Sequence, residues 1–265
     1  MKKILMCPPK YYNIEYVINP WMKTGTEIDR DAAYSNYNLL KESYELSGME
    51  VLEIEPVEGS PDMIYTANLG YTEGNVFIKA NFKAPERRKE SEVAVNYFES
   101  LNYKIHTLPE NILFEGEGDI IRSGTKYFIG YGERSSINAK EHLEKILNKE
   151  LHALELNNPY FYHLDTCLGL LNDETAMINT AAFTKEGLEL IESQFKNIII
   201  ADEKDNNLLA CNLVVNKNDV FIGKGISEKL KRELESYGFK ITEIDMTEFL
   251  KGGGSVKCLT QEIFD

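Results

Sequence analysis

The feature that most limits what this chain can fold into is a segment that recurs along it. In each copy a polar residue opens an apolar strand, a turn follows, and a second strand carries an apolar triplet. Four copies line up, opening at Asn68 (NLGYTEGNVFIKANF), Asp119 (DIIRSGTKYFIGYG), Asp165 (DTCLGLLNDETAMINTAAF) and Asn212 (NLVVNKNDVFIGKG). Turns such as Glu73-Gly74-Asn75 and Ser123-Gly124-Thr125 hold residue types that tolerate left-handed backbone, so each copy predicts a β-hairpin. The openings lie 51, 46 and 47 residues apart, and a further 46 reaches Cys258, where Cys258-Leu259-Thr260-Gln261-Glu262-Ile263 begins another strand.

Between the hairpins the apolar residues follow a helical period over 91–101, 137–156, 185–195 and 227–237, with a further helix predicted over 29–46. A period near 50 that alternates hairpin with helix predicts an array of similar α/β modules. The strand opening at Cys258 has no room for its own hairpin, and the strand at Lys3 to Met6 is expected to complete it and close the ring. The expected fold is thus a fivefold pseudo-symmetric α/β propeller of ββαβ-type modules, one domain over residues 1–265. The alternative is an ordinary α/β domain with strands at similar spacing. In the ring, Asn68, Asp119, Asp165, Asn212 and Cys258 would meet round one axis, where rigid strand ends hold polar groups toward a single pocket.

Composition narrows the function. A formal net charge of −14 repels a phosphate backbone, so nucleic acid is not an expected partner. The apolar run after Lys2-Lys3 stops at Pro8-Pro9, too short for a signal segment, and no stretch of about 18 apolar residues predicts a membrane span. A soluble, cytoplasmic protein is expected, with association into oligomers left open. The four cysteines, Cys7, Cys167, Cys211 and Cys258, form no CxxC pair, which argues against a zinc site and a disulfide framework. Any cysteine chemistry is then that of a single thiolate.

Round the expected axis the chain supplies the thiol of Cys258, the imidazole of His163 and the carboxylates of Glu115, Asp119 and Asp165. Cys258 follows the glycine-rich Gly252-Gly253-Gly254-Ser255, which permits close approach of a ligand, and Lys257 beside it would favour the thiolate. Singly, a cysteine is more often an inert small hydrophobe and a histidine a satisfied core residue. Together they make a nucleophile and a proton carrier suited to attack on a planar carbon bearing a leaving amine. Glu115 and Asp165 would match the N–H edges of a guanidinium, with turn or cap duty as the alternative.

These residues resemble the guanidine-modifying, or pentein, superfamily of arginine deiminase, amidinotransferase and dimethylargininase. The matching stretches are Pro61 to Asn68, Pro85 to Arg88, Phe114 to Asp119, Gly132 to Ser135, His163-Leu164-Asp165 and Gly252 to Cys258. The resemblance implies that Cys258 is the nucleophile, that His163 is the general acid and base, and that Glu115 and Asp165 hold the reacting group. It also implies that Arg87 and Arg134 clamp an α-carboxylate and that Asp62 is a further substrate ligand. No metal or organic cofactor is expected, because thiol, imidazole and carboxylates supply every step.

One departure carries weight. Where deiminases and dimethylargininases of the superfamily hold an aspartate in the first hairpin, this chain has Asn68. An amide can accept from a guanidinium and also donate to the oxygen of a neutral ureido group. Together with Val17-Ile18-Asn19-Pro20-Trp21-Met22, this looks like the arginine dihydrolase group, in which an asparagine matches Asn19; local chemistry alone makes Asn19 equally a turn residue before Pro20. The expected activity is conversion of arginine to ornithine, carbon dioxide and two ammonia molecules. Alternatives are a dimethylarginine hydrolase, a citrulline ureidohydrolase, an amidinotransferase and a binding module without catalysis. The expected small-molecule substrate is arginine, a methylated arginine or citrulline.

Overall fold

The computed structural model describes residues 1–264, and Asp265 lies outside the described residues. Helix α1 (Arg30–Leu46) follows strand β1 (Lys3–Met6) because Asp29 caps it, its carboxylate accepting from the Ala32 N–H at 3.0 Å. Its buried residues Ala33, Tyr37, Leu40 and Tyr44 recur every three or four positions and face the core, and Gly48, at φ +86°, lets the chain turn into β2 (Glu50–Glu53). Strand β2 lies parallel to β1, with Ile4 opposite Val51.

The same order then recurs. The second module is β3 (Gly70–Glu73), β4 (Val76–Lys79), α2 (Arg88–Ser100) and β5 (Lys104–His106). The third is β6 (Ile120–Ser123), β7 (Lys126–Tyr131), α3 (Ala139–Leu147) and β8 (Leu151–Glu155). The fourth is β9 (Leu168–Leu170), β10 (Thr175–Ile178), α4 (Lys185–Gln194) and β11 (Asn197–Ile200). A short helix α5 (Glu203–Asn206) leads to β12 (Val214–Asn216), β13 (Asp219–Gly223), α6 (Glu228–Ser236) and β14 (Lys240–Ile244). After the four-residue α7 (Thr247–Leu250), β15 (Gln261–Ile263) pairs antiparallel with β1 and completes the first module. Each of the five sheets has three strands, the middle one antiparallel to its hairpin partner and parallel to the strand after the helix. The propeller is therefore as expected, closed by the N-terminal strand.

One element differs. The helix expected over 137–156 stops at Leu147, and Asn148 turns left-handed at φ 51° before β8. Leu151 and Leu154 continue an apolar pattern that reads as helical, yet they are buried because β8 pairs in parallel with β7. A strand partner outweighed the helical period there.

Packing ties each helix to its own sheet. Phe98 of α2 stacks on Phe77 of β4 with ring centroids 4.1 Å apart, both fully buried. Truncating Phe98 to alanine would cost about 3–5 kcal/mol. The short 3₁₀ turns Thr66–Leu69, Gly116–Gly118 and Leu164–Thr166 precede the inner strands β3, β6 and β9 and bring their opening residues to the axis. Cys7, Cys167 and Cys211 are buried among apolar neighbours in these cores, as expected. Among the described residues no helix is long and apolar enough to cross a membrane.

Candidate active site

At the opening end of the axis one cavity is lined by Asn19, Asp62, Asn68, Arg87, Arg134, His163 and Cys258, together with Ile18, Met22, Tyr65, Tyr162 and Gly252 to Gly254. Seven of the nine sequence-predicted site residues thus meet in one place. The two that do not line it, Glu115 and Asp165, stand directly behind the imidazole and the thiol.

Cys258 is 3% exposed. Its backbone N–H donates to Asn212 Oδ1 at 3.0 Å, and Asn212 Nδ2 donates to the sulfur at 3.2 Å and to the Asp165 carbonyl at 3.1 Å. Asp165 Oδ2 lies 3.5 Å from the sulfur. Burial, and then the Asp165 carboxylate, push the thiol well above its ordinary range, so the site favours a neutral thiol that an adjacent cation would help ionise. Lys257 does not supply that charge as expected: its ammonium is paired with Glu117 and donates to the Thr260 carbonyl. Burial raises the Asp165 carboxyl to about 7 against the opposing pull of Lys257.

His163 Nε2 lies 2.8 Å from Glu115 Oε2. Burial lowers the imidazole to about 4 even though Glu115 acts to raise it. Burial would raise Glu115 too, but Arg134 and the His163 bond outweigh it and hold that carboxyl below its ordinary value. A neutral ring beside a charged carboxylate donates from Nε2, which leaves the Nδ1 lone pair as the base. A side chain at Gly118 would meet Asn68 Nδ2 at 2.4 Å and His163 Nδ1 at 3.2 Å, so glycine there keeps this part of the cavity open.

Of the two carboxylates expected to meet the N–H edges of a guanidinium, Glu115 is already occupied by protein donors, whereas Asp165 keeps one oxygen without a partner. Glu115 already accepts from His163, from Arg134 Nη1 at 2.8 Å and from the Lys83 N–H at 3.1 Å. Glu115 thus fixes the His163 ring, and Asp165 abuts the sulfur. Asp119 supports the same wall, accepting from Ser135 Oγ at 2.6 Å and from the Leu164 N–H at 3.3 Å.

Arg87 and Arg134 are buried but engaged. Arg87 donates to Glu90, to Asn68 Oδ1 at 2.9 Å and to the Asp62 carbonyl, and Arg134 donates to the Ile18 carbonyl and lies over the Tyr162 ring. Neither buried Asp62 carboxylate oxygen makes a close hydrogen bond, and burial raises this carboxyl against the pull of Arg87 and of the nearby Tyr16 hydroxyl. Asn68 Nδ2 is likewise buried without a partner. Asn19 has the turn role as well: its Oδ1 accepts from the Trp21 and Met22 N–H groups, and Nδ2 donates to the Gly252 carbonyl at 3.0 Å. The glycine loop makes room for protein before ligand, since a Cβ at Gly254 would meet the Tyr65 ring at 2.3 Å and one at Gly252 the Tyr65 hydroxyl at 2.1 Å.

Asn212, which contacts both the sulfur and the backbone N–H of Cys258, is the site-wall residue that the sequence reading left without a role. Its equivalence to the other four openings was the available signal. A five-module propeller whose axis carries a thiol, a carboxylate-oriented imidazole and two buried guanidinium groups defines a pentein of the guanidine-modifying class.

Comparison with known proteins narrows the class. Residues 12–265 match the family model described as N,N dimethylarginine dimethylhydrolase, eukaryotic. The chain is 36% identical over 266 residues to the bifunctional arginine dihydrolase/ornithine cyclodeaminase ArgZ of Synechocystis, covering 98% of this chain and 37% of that protein. It is 34% identical to the N(G),N(G)-dimethylarginine dimethylaminohydrolase of Mycobacterium tuberculosis, covering 99% of this chain and 86% of that one. The solved N-terminal domain of ArgZ, a cysteine-to-serine variant bound to substrate, superposes with a TM-score of 0.97 at 33% identity over 100% of this chain and 99% of that one. The Pseudomonas aeruginosa dimethylargininase bound to citrulline shares the fold with a TM-score of 0.83 at 18% identity, covering 98% of each chain. The chain belongs to the dimethylarginine dimethylaminohydrolase family of the pentein superfamily, and it spans little more than a third of the bifunctional relative.

Proposed function

We propose that this chain is a cysteine-dependent hydrolase of guanidino and ureido groups, acting as an arginine dihydrolase through a single catalytic domain. The observation that carries the reading is the unpartnered Asn68 amide in the cavity that also holds Cys258 and His163. An aspartate there would repel a ureido oxygen; the amide can donate to it.

In this reading the α-carboxylate of arginine binds Arg87 and Arg134, and the Asp62 carboxylate receives the α-ammonium. Asn19 shapes the mouth. The guanidinium cation arriving above Cys258 favours loss of the thiol proton, the change that burial and Asp165 resist. Sγ attacks the guanidinium carbon, the bond to a terminal nitrogen breaks, and His163 returns the proton to the departing ammonia. Water then adds to the carbon, His163 Nδ1 takes its proton, and the C–S bond breaks to leave citrulline. In a second round Sγ attacks the ureido carbon with Asn68 on its oxygen. Ornithine leaves, and the S-carbamoyl group hydrolyses to carbon dioxide and ammonia. Overall one arginine and two waters become ornithine, carbon dioxide and two ammonia molecules. Four free cysteines suit a reducing, cytoplasmic setting.

A dimethylargininase activity is the second reading, favoured by the matching family model and the mycobacterial relative. Incubation with arginine, dimethylarginine and citrulline separately, with product identification, separates the two. Ornithine from arginine and from citrulline supports the dihydrolase; citrulline with dimethylamine, and no attack on citrulline, supports the other. Cys258→Ser should abolish all turnover while the protein stays folded, and appreciable residual activity would refute covalent catalysis.

A further inference from the structure

The propeller holds a second and larger cavity, of about 330 Å³, running along the axis between the inner strands. Exposed Gly124, Asn172 and Lys217, each in a hairpin turn, rim its outer end. Asp165, Glu117 and Lys257 line it as well, and Asp165 Oδ2 is the atom 3.5 Å from the Cys258 sulfur. The other oxygen, Asp165 Oδ1, is buried without a partner, and so is Glu117 Oε1. The Asp165 side chain therefore borders this axial cavity while touching the thiol.

The substrate cavity is tight by contrast. It has room for about 10 Å³, roughly one water. A strap over 17–22 covers it, held by Arg134 to the Ile18 carbonyl at 2.8 Å, Asn19 to the Gly252 carbonyl at 3.0 Å and Trp21 Nε1 to the Tyr160 carbonyl at 2.8 Å. An amino acid admitted under the strap, with its α-groups at Arg87, Arg134 and Asp62, plugs that mouth with its own chain.

We propose that the axial cavity is the passage through which water reaches, and ammonia leaves, the Cys258 adduct while the amino acid still occupies the front. The inference rests on the hydrolase reading above. Its first half needs one ammonia out and one water in while the substrate carbon is bonded to sulfur, and both molecules are small, neutral and good hydrogen-bond partners. The unpartnered oxygens of Asp165 and Glu117 offer them successive acceptors along the route. A carboxyl raised to about 7 can also carry a proton at neutral pH. Turning Asp165 away from the sulfur is the side-chain rotation that opens the route.

The test narrows the passage far from the chemistry. Val215 of β12 and Ser123 of β6 both line it, and neither contributes to the substrate cavity. In the full chain, Val215→Trp and Ser123→Trp should leave kcat/KM for arginine within about twofold, because substrate enters at the front and attack precedes the slowed step. They should lower kcat by about tenfold, KM falling with it, as covalent Cys258 adduct accumulates in acid-quenched samples. Val215→Ala should match the wild type. Ser123 sits half-buried near the rim, so its variant carries the test should Val215→Trp not fold. Folded variants with wild-type kcat overturn the passage, as does a raised KM with unchanged kcat. Wild-type protein inert toward arginine would sink the hydrolase reading itself; an active wild type with indifferent tryptophan variants sinks the passage alone.

Discussion

Replacing Glu115 by glutamine tests the geometry behind the proposed proton carrier. The carboxylate meets three donors: His163 Nε2 and Arg134 Nη1 on one oxygen, each at 2.8 Å, and the Lys83 N–H on the other at 3.1 Å. An amide has one oxygen, so whichever way it turns at least one donor faces an NH₂ group. At an effective dielectric near 20, the charge pair with Arg134 is worth about 6 kcal/mol before desolvation. Stranding that buried guanidinium costs about 3–5 kcal/mol net, a large part of the roughly 5–15 kcal/mol that holds a domain together. For a chain of this size the melting temperature should fall by roughly 10 °C. His163 suffers separately. Without a charged acceptor at Nε2 its ring can adopt the other tautomer, which places a proton on Nδ1 and removes the base. Turnover should fall by about two to four orders of magnitude. Since Glu115 is the group that raises the imidazole toward its ordinary value, its loss lowers the His163 pKa further below about 4. Thermal melting, steady-state kinetics and NMR titration of the imidazole provide the three readouts. A Glu115→Gln protein that melts within 2 °C or so of the wild type and keeps a third or so of its kcat would refute both the ion-pair and the tautomer arguments.

Asn68→Asp keeps the acceptor for Arg87 but removes the unpartnered donor, so the product mixture should shift from ornithine toward citrulline; unchanged ornithine output would count against the ureido role. Asn212→Ala removes the amide that donates to the sulfur and accepts from the Cys258 N–H, costing about 1–3 kcal/mol. Because that amide lowers the thiol pKa, alkylation of Cys258 by iodoacetamide at pH 8 should slow, and faster labelling would contradict the assignment. Asp165 is raised from 3.8 to about 7 by burial, so the folded state binds the extra proton between those values. Stability present below about pH 4 is thus lost as pH rises through 7, by up to about 4 kcal/mol. Asp165→Asn should therefore gain melting temperature over the wild type at pH 8 and little at pH 4; equal differences at both would show that the carboxyl is not raised.

The repeat of openings at Asn68, Asp119, Asp165, Asn212 and Cys258 made the propeller legible, because a strand that must begin at the axis and turn back needs the same residue types each time. It also brought Cys258 and His163 together across nearly a hundred residues. Helix ends were legible where a cap or glycine marked them, as at Asp29 and Gly48, and were misread over 137–156, where an apolar pattern served helix and strand alike. What only the tertiary structure decided is which group faces which. A list of residue types cannot say that Glu115 is consumed by Arg134 and His163, that Lys257 belongs to Glu117 rather than to the thiol, or that Asp165 borders a second cavity. Such pairings follow from direction and burial, and a buried charge takes the nearest partner that satisfies it, however far away that partner lies in the chain.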